Sequence, residues 1–534
     1  MIMITAAIFL VVHFSPASAF VIARRHHRLS PPAITQTTVA NSFSPLRASL
    51  RDLLEGKNTP SFANEAKSTQ AANKSVIETT LPTKTIRNSY IDSVVNISDS
   101  YDSGNGEFVS YKIVDGEEDY TDVIVHVNIK PDPYTRLEQK SHFQYFSFRS
   151  SINYNSPAVR GIFSDKKSIK VKYIVDNAGE ASYVDAWSGA SIFVTTKSTP
   201  FDPDSWCRTS DTKYENGCLS WTHIHEFDYM SSAYFSYFPP YSYERYLGLI
   251  ARCAAAEGAR VYSLGQTVAG REIDCVQVGN GPRICWIIHR QHPGESMASF
   301  YAEGLLTRLL TLDDKWDKVA EMARDLFTFY IVPNINPDGS VNGYLRTNAA
   351  GSNLNREWCP SPSADSSEIY DAPTLHRSPE VYYVLKHMDE SSCDAFLDIH
   401  GDESLPFNFL AGSQGMKVWG KRLESLHGAF LASYSRVNPD MQAQVSYDPD
   451  KPNEGMRNIC SNQIAERFDC FSGTLEMPFK EVWGRPGWGP ERARQLGRSV
   501  LDALCYIQPF LRDEGTFWEG LLKDDAYVEP SSKY

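Results

Sequence analysis

Three short, mostly apolar runs in the second half of the chain, Ile284 to Ile288, Phe327 to Val332 and Ala395 to Ile399, pass directly into polar turn residues, and a further strand is expected near Cys470 to Leu475. Near-continuous apolar stretches of that length suit strands buried on both faces, which occur in sheets covered by helices on either side. Helical spacing fills the gaps. Tyr243 to Ala255 reads as a helix, Met297 to Leu310 as an amphipathic helix with Phe300, Leu305 and Leu309 inward, and Glu491 to about Ile507 as a last helix bearing Leu496, Val500, Leu504 and Ile507. Alternating strands and helices predict one α/β domain over residues 239–515.

Upstream the texture differs. Phe108 to Val114, Val123 to Ile129, Phe143 to Phe148 and Ser168 to Val175 are short, rich in β-branched or aromatic residues, and bounded by Asp, Gly, Pro and Asn. With no helical pattern between them they predict a β-sandwich over residues 89–238. Residues 52–88 show no sustained period and read as a disordered linker, and 516–534 read as a C-terminal tail.

The first 51 residues look like an address. Met1 to Ala19 has the apolar stretch and small-residue end of a signal peptide, and residues 20–51 have the Arg, Ser and acid-free composition of a transit peptide. The order, with Phe20 at the junction, resembles the bipartite plastid presequences of algae with secondary plastids. The expected destination is the plastid through the secretory pathway, and the alternative is secretion. In that pathway Asn73-Lys-Ser and Asn96-Ile-Ser would be glycosylation acceptors.

Charge narrows the partners. The first 51 residues hold five arginines and no acid, so the rest carries 47 basic against 65 acidic residues, a balance of -18. A body that acidic has no overall attraction for nucleic acid or anionic lipid. Only Met3 to Phe14 approaches a long apolar run, short of the roughly 18 residues a membrane span needs, so the mature form is expected to have no membrane partner. The ten cysteines form no C-x-x-C pair, so they suggest neither a zinc ribbon nor a thioredoxin-like motif, and only Cys207 and Cys218 are placed to bridge in an oxidising compartment.

The strand ends carry the chemistry. The pattern H-x-x-E occurs four times, but His223 with Glu226 lies in an aromatic β segment and His387 with Glu390 on an expected helix. His292-Pro-Gly-Glu295 instead follows a buried strand, where α/β sheets place ligands. Phe327 to Val332 leads to Asn336-Pro-Asp-Gly339 and then to Asn355 and the arginines Arg346 and Arg356, whose guanidinium forks fit carboxylate oxygens. The last two strands deliver His400, in Asp398-Ile-His400-Gly, and Glu476, in Thr474-Leu-Glu476. Two histidines and a glutamate can hold zinc with one position open for water, with Glu476 as the base that activates it and an arginine to steady an oxyanion.

This ordered set resembles the M14 zinc carboxypeptidases, and within them the cytosolic carboxypeptidase subfamily. The resemblance extends to Tyr234-Phe-Ser-Tyr-Phe-Pro-Pro-Tyr-Ser-Tyr243, similar to that subfamily's aromatic junction, and to Leu264-Gly-Gln-Thr-Val-Ala-Gly-Arg271. It implies a three-layer αβα carboxypeptidase domain with a mixed sheet behind an N-terminal β-sandwich. It also implies one zinc ion on His292, Glu295 and His400, Glu476 as general base and then acid, Arg346 on the tetrahedral intermediate, and Asn355 with Arg356 on the substrate's terminal carboxylate. The family's substrate-capping tyrosine has no clear counterpart, Tyr447 being the sole tyrosine between Ser435 and Glu476.

The expected activity is therefore removal of C-terminal residues from peptides or protein tails. Trimming of glutamate from acidic tails is a further possibility, for which Arg457, Lys451 and Lys480 are the candidate basic residues. Two alternatives stand beside it: a zinc amidohydrolase acting on small N-acyl amino acids, and an inert binding scaffold.

Overall fold

A seven-stranded sheet organises the C-terminal half, in the order Ala259–Gln266, Glu272–Val278, Phe327–Val332, Arg283–His289, Ala395–Ile399, Phe471–Glu476 and Phe409–Gly412. The computed structural model describes residues 94–114, 122–133, 141–164, 166–227, 232–359 and 372–513. The expected signal and transit peptides, linker and C-terminal tail lie outside them. Neighbouring strands among the central four pair in parallel and the outer ones antiparallel. The sheet is thus mixed, and four strands end on the same edge.

Alternation along these strands separates two helical layers. Cys285 and Ile287 pack with Met297, Leu305, Leu496 and Val500. Trp286 and Ile288 face the other way, onto Val381, Val384, Met388 and Ile464. Successive side chains of a strand point to opposite faces, so one apolar run serves both cores and the three-layer arrangement follows.

The helix Met297–Leu309 differs from its expected amphipathic character, because every residue except Arg308 is buried. It lies between the sheet and the helix Pro490–Ile507. A β-carbon at Gly304 would overlap the backbone of Arg494, and one at Gly497 the backbone of Tyr301, so reciprocal glycines let the two helices approach closely.

The N-terminal region forms two five-stranded sheets. Phe148 and Phe235 of one meet Tyr173 and Trp221 of the other with ring centroids 4.5 to 6.2 Å apart. The strand expected over 143–148 runs instead over Ser147–Ile152. Residues 143 and 144 are drawn away by long-range bonds: Ser182 N–H donates to Phe143 O at 2.9 Å, and Tyr183 N–H donates to Gln144 Oε1 at 3.0 Å. All ten cysteines are free, Cys207 and Cys218 included. Among the described residues no helix is long and apolar enough to cross a membrane.

Candidate metal centre

The edge where the four parallel strands end gathers the expected ligands. His292 Nδ1 lies 2.7 Å from Glu295 Oε1, and His400 Nδ1 lies 2.9 Å from Glu295 Oε2 and 3.2 Å from His292 Nδ1. All three side chains are buried, and one donor atom from each fits within 4.8 Å of the others. Two imidazole nitrogens and a carboxylate converging on one point are the donors zinc takes, so the set fits the ion. The opposite ring nitrogens are held as well. His292 Nε2 lies 3.1 Å from Asn353 Oδ1, and His400 Nε2 lies 3.0 Å from Asp398 Oδ2, leaving Nδ1 of each ring for a metal.

Local sequence explains the placement. After the strand Arg283–His289, Arg290 adopts φ 61° and sends its guanidinium back to Pro293 O at 2.8 Å and Tyr241 O at 3.2 Å. The aromatic junction therefore braces the His-Pro-Gly-Glu turn. Gly401 N–H donates to Glu295 Oε2 at 2.9 Å, a close approach in which any β-carbon would strike Met297 Sδ. Asn336 caps the short helix Pro337–Asn342 and donates through Nδ2 to Gln291 O at 2.9 Å. Arg271 reaches the buried carboxylate of Asp338 at 2.7 Å, tying the 264–271 segment to that same helix.

Electrostatics agree with a cation here. Burial pushes His292 down to about 3. Burial would raise Glu295, but the His292 and His400 rings outweigh it and bring it to about 2, so it stays a carboxylate. Burial would lower His400, yet Asp398 and Glu295 hold it well above the usual histidine range. Those carboxylates stabilise positive charge at the spot a divalent ion would take.

Glu476 is buried, its Oε2 has no hydrogen-bond partner, and burial followed by the charges of Glu295, Asp402 and Asp398 pushes it well above the carboxylate range against the pull of His400. A cavity of about 420 Å³ opens beside the ligand set, lined among others by Glu295, Arg346, Asn355, Arg356 and Thr474. Arg346 Nη1 donates to the Tyr183 hydroxyl at 2.8 Å, and Asn355 Oδ1 accepts from Cys460 N–H at 2.9 Å. The structure thus brings the arginines, the asparagine and the metal ligands to one place.

Tyr447 also lines the cavity and donates its hydroxyl to Asp402 Oδ2 at 2.7 Å, which gives the tyrosine without a sequence motif a place at the site. The basic candidates do not line the cavity. Arg457 pairs with Glu466 at 3.2 Å, the exposed Lys451 with Glu454 at 4.0 Å, and Lys480 donates to Ser404 O at 3.1 Å. Of the other H-x-x-E histidines, His387 bonds the Tyr383 carbonyl at 2.8 Å, and His223 is held down at about 4 by burial. Asn353, Gln291 and Tyr183 were not legible as site residues, since no local pattern marks them, and the buried Glu403 was visible only as the glutamate of the fourth H-x-x-E, with His400.

Comparison with known proteins agrees with this geometry. The zinc carboxypeptidase family matches residues 249–417, and the cytosolic carboxypeptidase N-terminal domain matches residues 97–238. An uncharacterised protein of Zymomonas mobilis is 36% identical over 77% of this chain and 96% of its own length. The solved structure of a metallo-carboxypeptidase from Pseudomonas aeruginosa, in complex with (2-guanidinoethylmercapto)succinic acid, is 32% identical with a TM-score of 0.65 over 78% of this chain and 100% of that one. Cytosolic carboxypeptidase 6 of Mus musculus is 28% identical over 34% of this chain and 33% of its own length.

Proposed function

The chain belongs to the M14 family of zinc carboxypeptidases, and we propose that it cuts the last peptide bond of peptides or protein tails, releasing one residue at a time. The observation that carries this reading is the cluster of His292, Glu295 and His400 beside a cavity walled by Arg346, Asn355 and Arg356, with the buried Glu476 on the strand paired in parallel with the one that delivers His400. Held by His292, Glu295 and His400, zinc would polarise the scissile carbonyl and make a water acidic enough to attack near neutral pH.

The chain's own groups do the rest. Glu476, which a cation on the three ligands would keep ionised against the neighbouring carboxylates, takes a proton from the attacking water as its oxygen bonds to the carbonyl carbon, then gives that proton to the leaving amine as the C–N bond breaks. Arg346 steadies the charge that develops on the former carbonyl oxygen. Asn355 and Arg356 hold the terminal α-carboxylate, so only a chain end places its last bond beside Glu476. The deacylase alternative is weakened because the β region itself matches the cytosolic carboxypeptidase N-terminal domain.

Glutamate removal is the finer reading that relatives named cytosolic carboxypeptidases favour. The cavity's charge opposes it. Its cations are Arg346 and Arg356, both already given roles, while Asp402, Asp448 and Asp450 share its wall. The compound bound by the Pseudomonas aeruginosa relative carries a guanidino arm on a dicarboxylic acid, which fits a carboxylate-lined side-chain pocket. We therefore read the preferred terminal residue as basic or neutral. Offering the zinc-loaded protein, lacking residues 1–51, peptides that differ only in a final Lys, Leu or Glu tests this by mass spectrometry. Fastest loss of Glu would overturn the preference, and no shortening at any end would overturn the activity. Delivery to the plastid by residues 1–51 is part of the same proposal, and a fluorescent fusion of that segment found outside the cell would replace it with secretion.

A further inference from the structure

We propose that the N-terminal β region is a working part of the active site, because two of its residues, Asp132 and Tyr183, position Arg346 from both ends. The proposal rests on the reading of Arg346 as the group that steadies the developing oxyanion.

Asp132 holds the backbone. Its Oδ1 accepts from Leu345 N–H at 2.7 Å, and its Oδ2 accepts from Arg346 N–H at 2.8 Å, Thr347 N–H at 2.9 Å and the Thr347 hydroxyl at 3.2 Å. Three consecutive amides on one buried carboxylate fix the direction in which the Arg346 side chain leaves the loop. Asp132 is itself anchored, donating its own N–H to His142 O at 2.8 Å.

Tyr183 holds the other end. Its hydroxyl accepts from Arg346 Nη1 at 2.8 Å, and the ring lines the cavity beside Arg346 and Glu403. The tyrosine is placed by the sandwich. The fully buried Gln144 accepts from Tyr183 N–H at 3.0 Å and donates to Tyr183 O at 3.2 Å. The following turn is pinned by Trp187, whose indole donates to Ala178 O at 2.9 Å.

A long arginine on a surface loop has many rotamers, and freezing them before substrate arrives lowers the cost of placing charge where the oxyanion forms. Asp132 and Tyr183 lie 214 and 163 residues from Arg346, so this order exists only when the β region is docked. Docking is secured elsewhere: Tyr237 stacks on Phe479 with centroids 4.6 Å apart, Arg208 donates to Phe479 O at 2.8 Å, and Asn105 donates to Gly343 O at 3.0 Å. Asp132 and Tyr183 are positioning residues, acting through Arg346.

A double-mutant cycle tests this on the zinc-loaded protein lacking residues 1–51. Tyr183→Phe keeps the ring and should fold, with zinc content and thermal midpoint unchanged. It should lower kcat roughly tenfold, the usual consequence of losing one hydrogen bond to a charged group, with KM within about twofold. In an Arg346→Ala background the same change should do nothing further, since the group it orients is gone. Asp132→Asn should lower kcat in the same direction together with the thermal midpoint. Full activity in Tyr183→Phe, or an equal loss in both backgrounds, overturns the proposal. Wild-type kcat in Arg346→Ala alone overturns instead the role of Arg346 on which it rests.

Discussion

Replacing Asp398 separates charge from hydrogen bonding behind His400. Its Oδ2 lies 3.0 Å from His400 Nε2 and 2.6 Å from Gln291 Nε2, while its Oδ1 has no partner. In Asp398→Asn an amide oxygen can replace Oδ2 and keep both bonds, so what disappears is mainly the negative charge that makes the ring a stronger donor. In Asp398→Ala both neighbours lose their partner as well. Substituting the groups that orient a metal ligand costs about 10- to 100-fold in affinity, or about 1.4 to 2.7 kcal/mol. Asp398→Asn should fall near the lower figure and Asp398→Ala near the upper. Competition with a chromogenic chelator gives the zinc Kd, with circular dichroism to verify the fold. Folded variants whose zinc affinity equals that of the parent, or Asp398→Ala binding zinc more tightly than Asp398→Asn, would refute the reasoning.

Two further outcomes follow from the geometry. Burial raises the Glu380 carboxyl to about 7, above its unfolded value, so its stabilising contribution is complete below about pH 4 and is lost as pH rises through 7, up to about 3 kcal/mol in all. Thermal midpoints of the parent should fall from pH 5 to pH 8 more steeply than those of Glu380→Gln, and parallel profiles would remove Glu380 as the cause. Arg457→Glu should leave the order of preference for terminal Lys, Leu and Glu unchanged, because Arg457 pairs with Glu466 and does not line the cavity; a reversed order in the peptide assay would return it to the site.

The metal centre was legible because local patterns carry it. A run such as Ile284 to Ile288 is apolar on both faces only if helices cover both, and parallel pairing then brings His292, His400 and Glu476 to one edge although they are far apart in sequence. Asn336, Asp338 and Arg271 were visible as motif members, and the structure adds why they matter: a helix cap and a buried ion pair that stiffen the loop behind the ligands. What escaped has no period or spacing. Asp132, Tyr183 and Asn353 are common residue types whose roles come from partners 214, 163 and 61 residues away. Local texture also misled at Met297–Leu309, where tertiary packing buries polar Ser299, Glu303 and Thr307 along with the apolar stripe. The same competition moved the strand expected over 143–148, whose first residues bond Ser182 and Tyr183 instead.

Catalysis turns on Glu476, a buried side chain on the strand next to that of His400, which serves as base and then acid. Glu476→Gln keeps the shape and removes the proton acceptor. The purified variant should retain one zinc per chain by elemental analysis while its rate on a C-terminal peptide substrate falls about a thousandfold, within the range for a lost general base. Undiminished hydrolysis by a variant that still holds its zinc would contradict the mechanism.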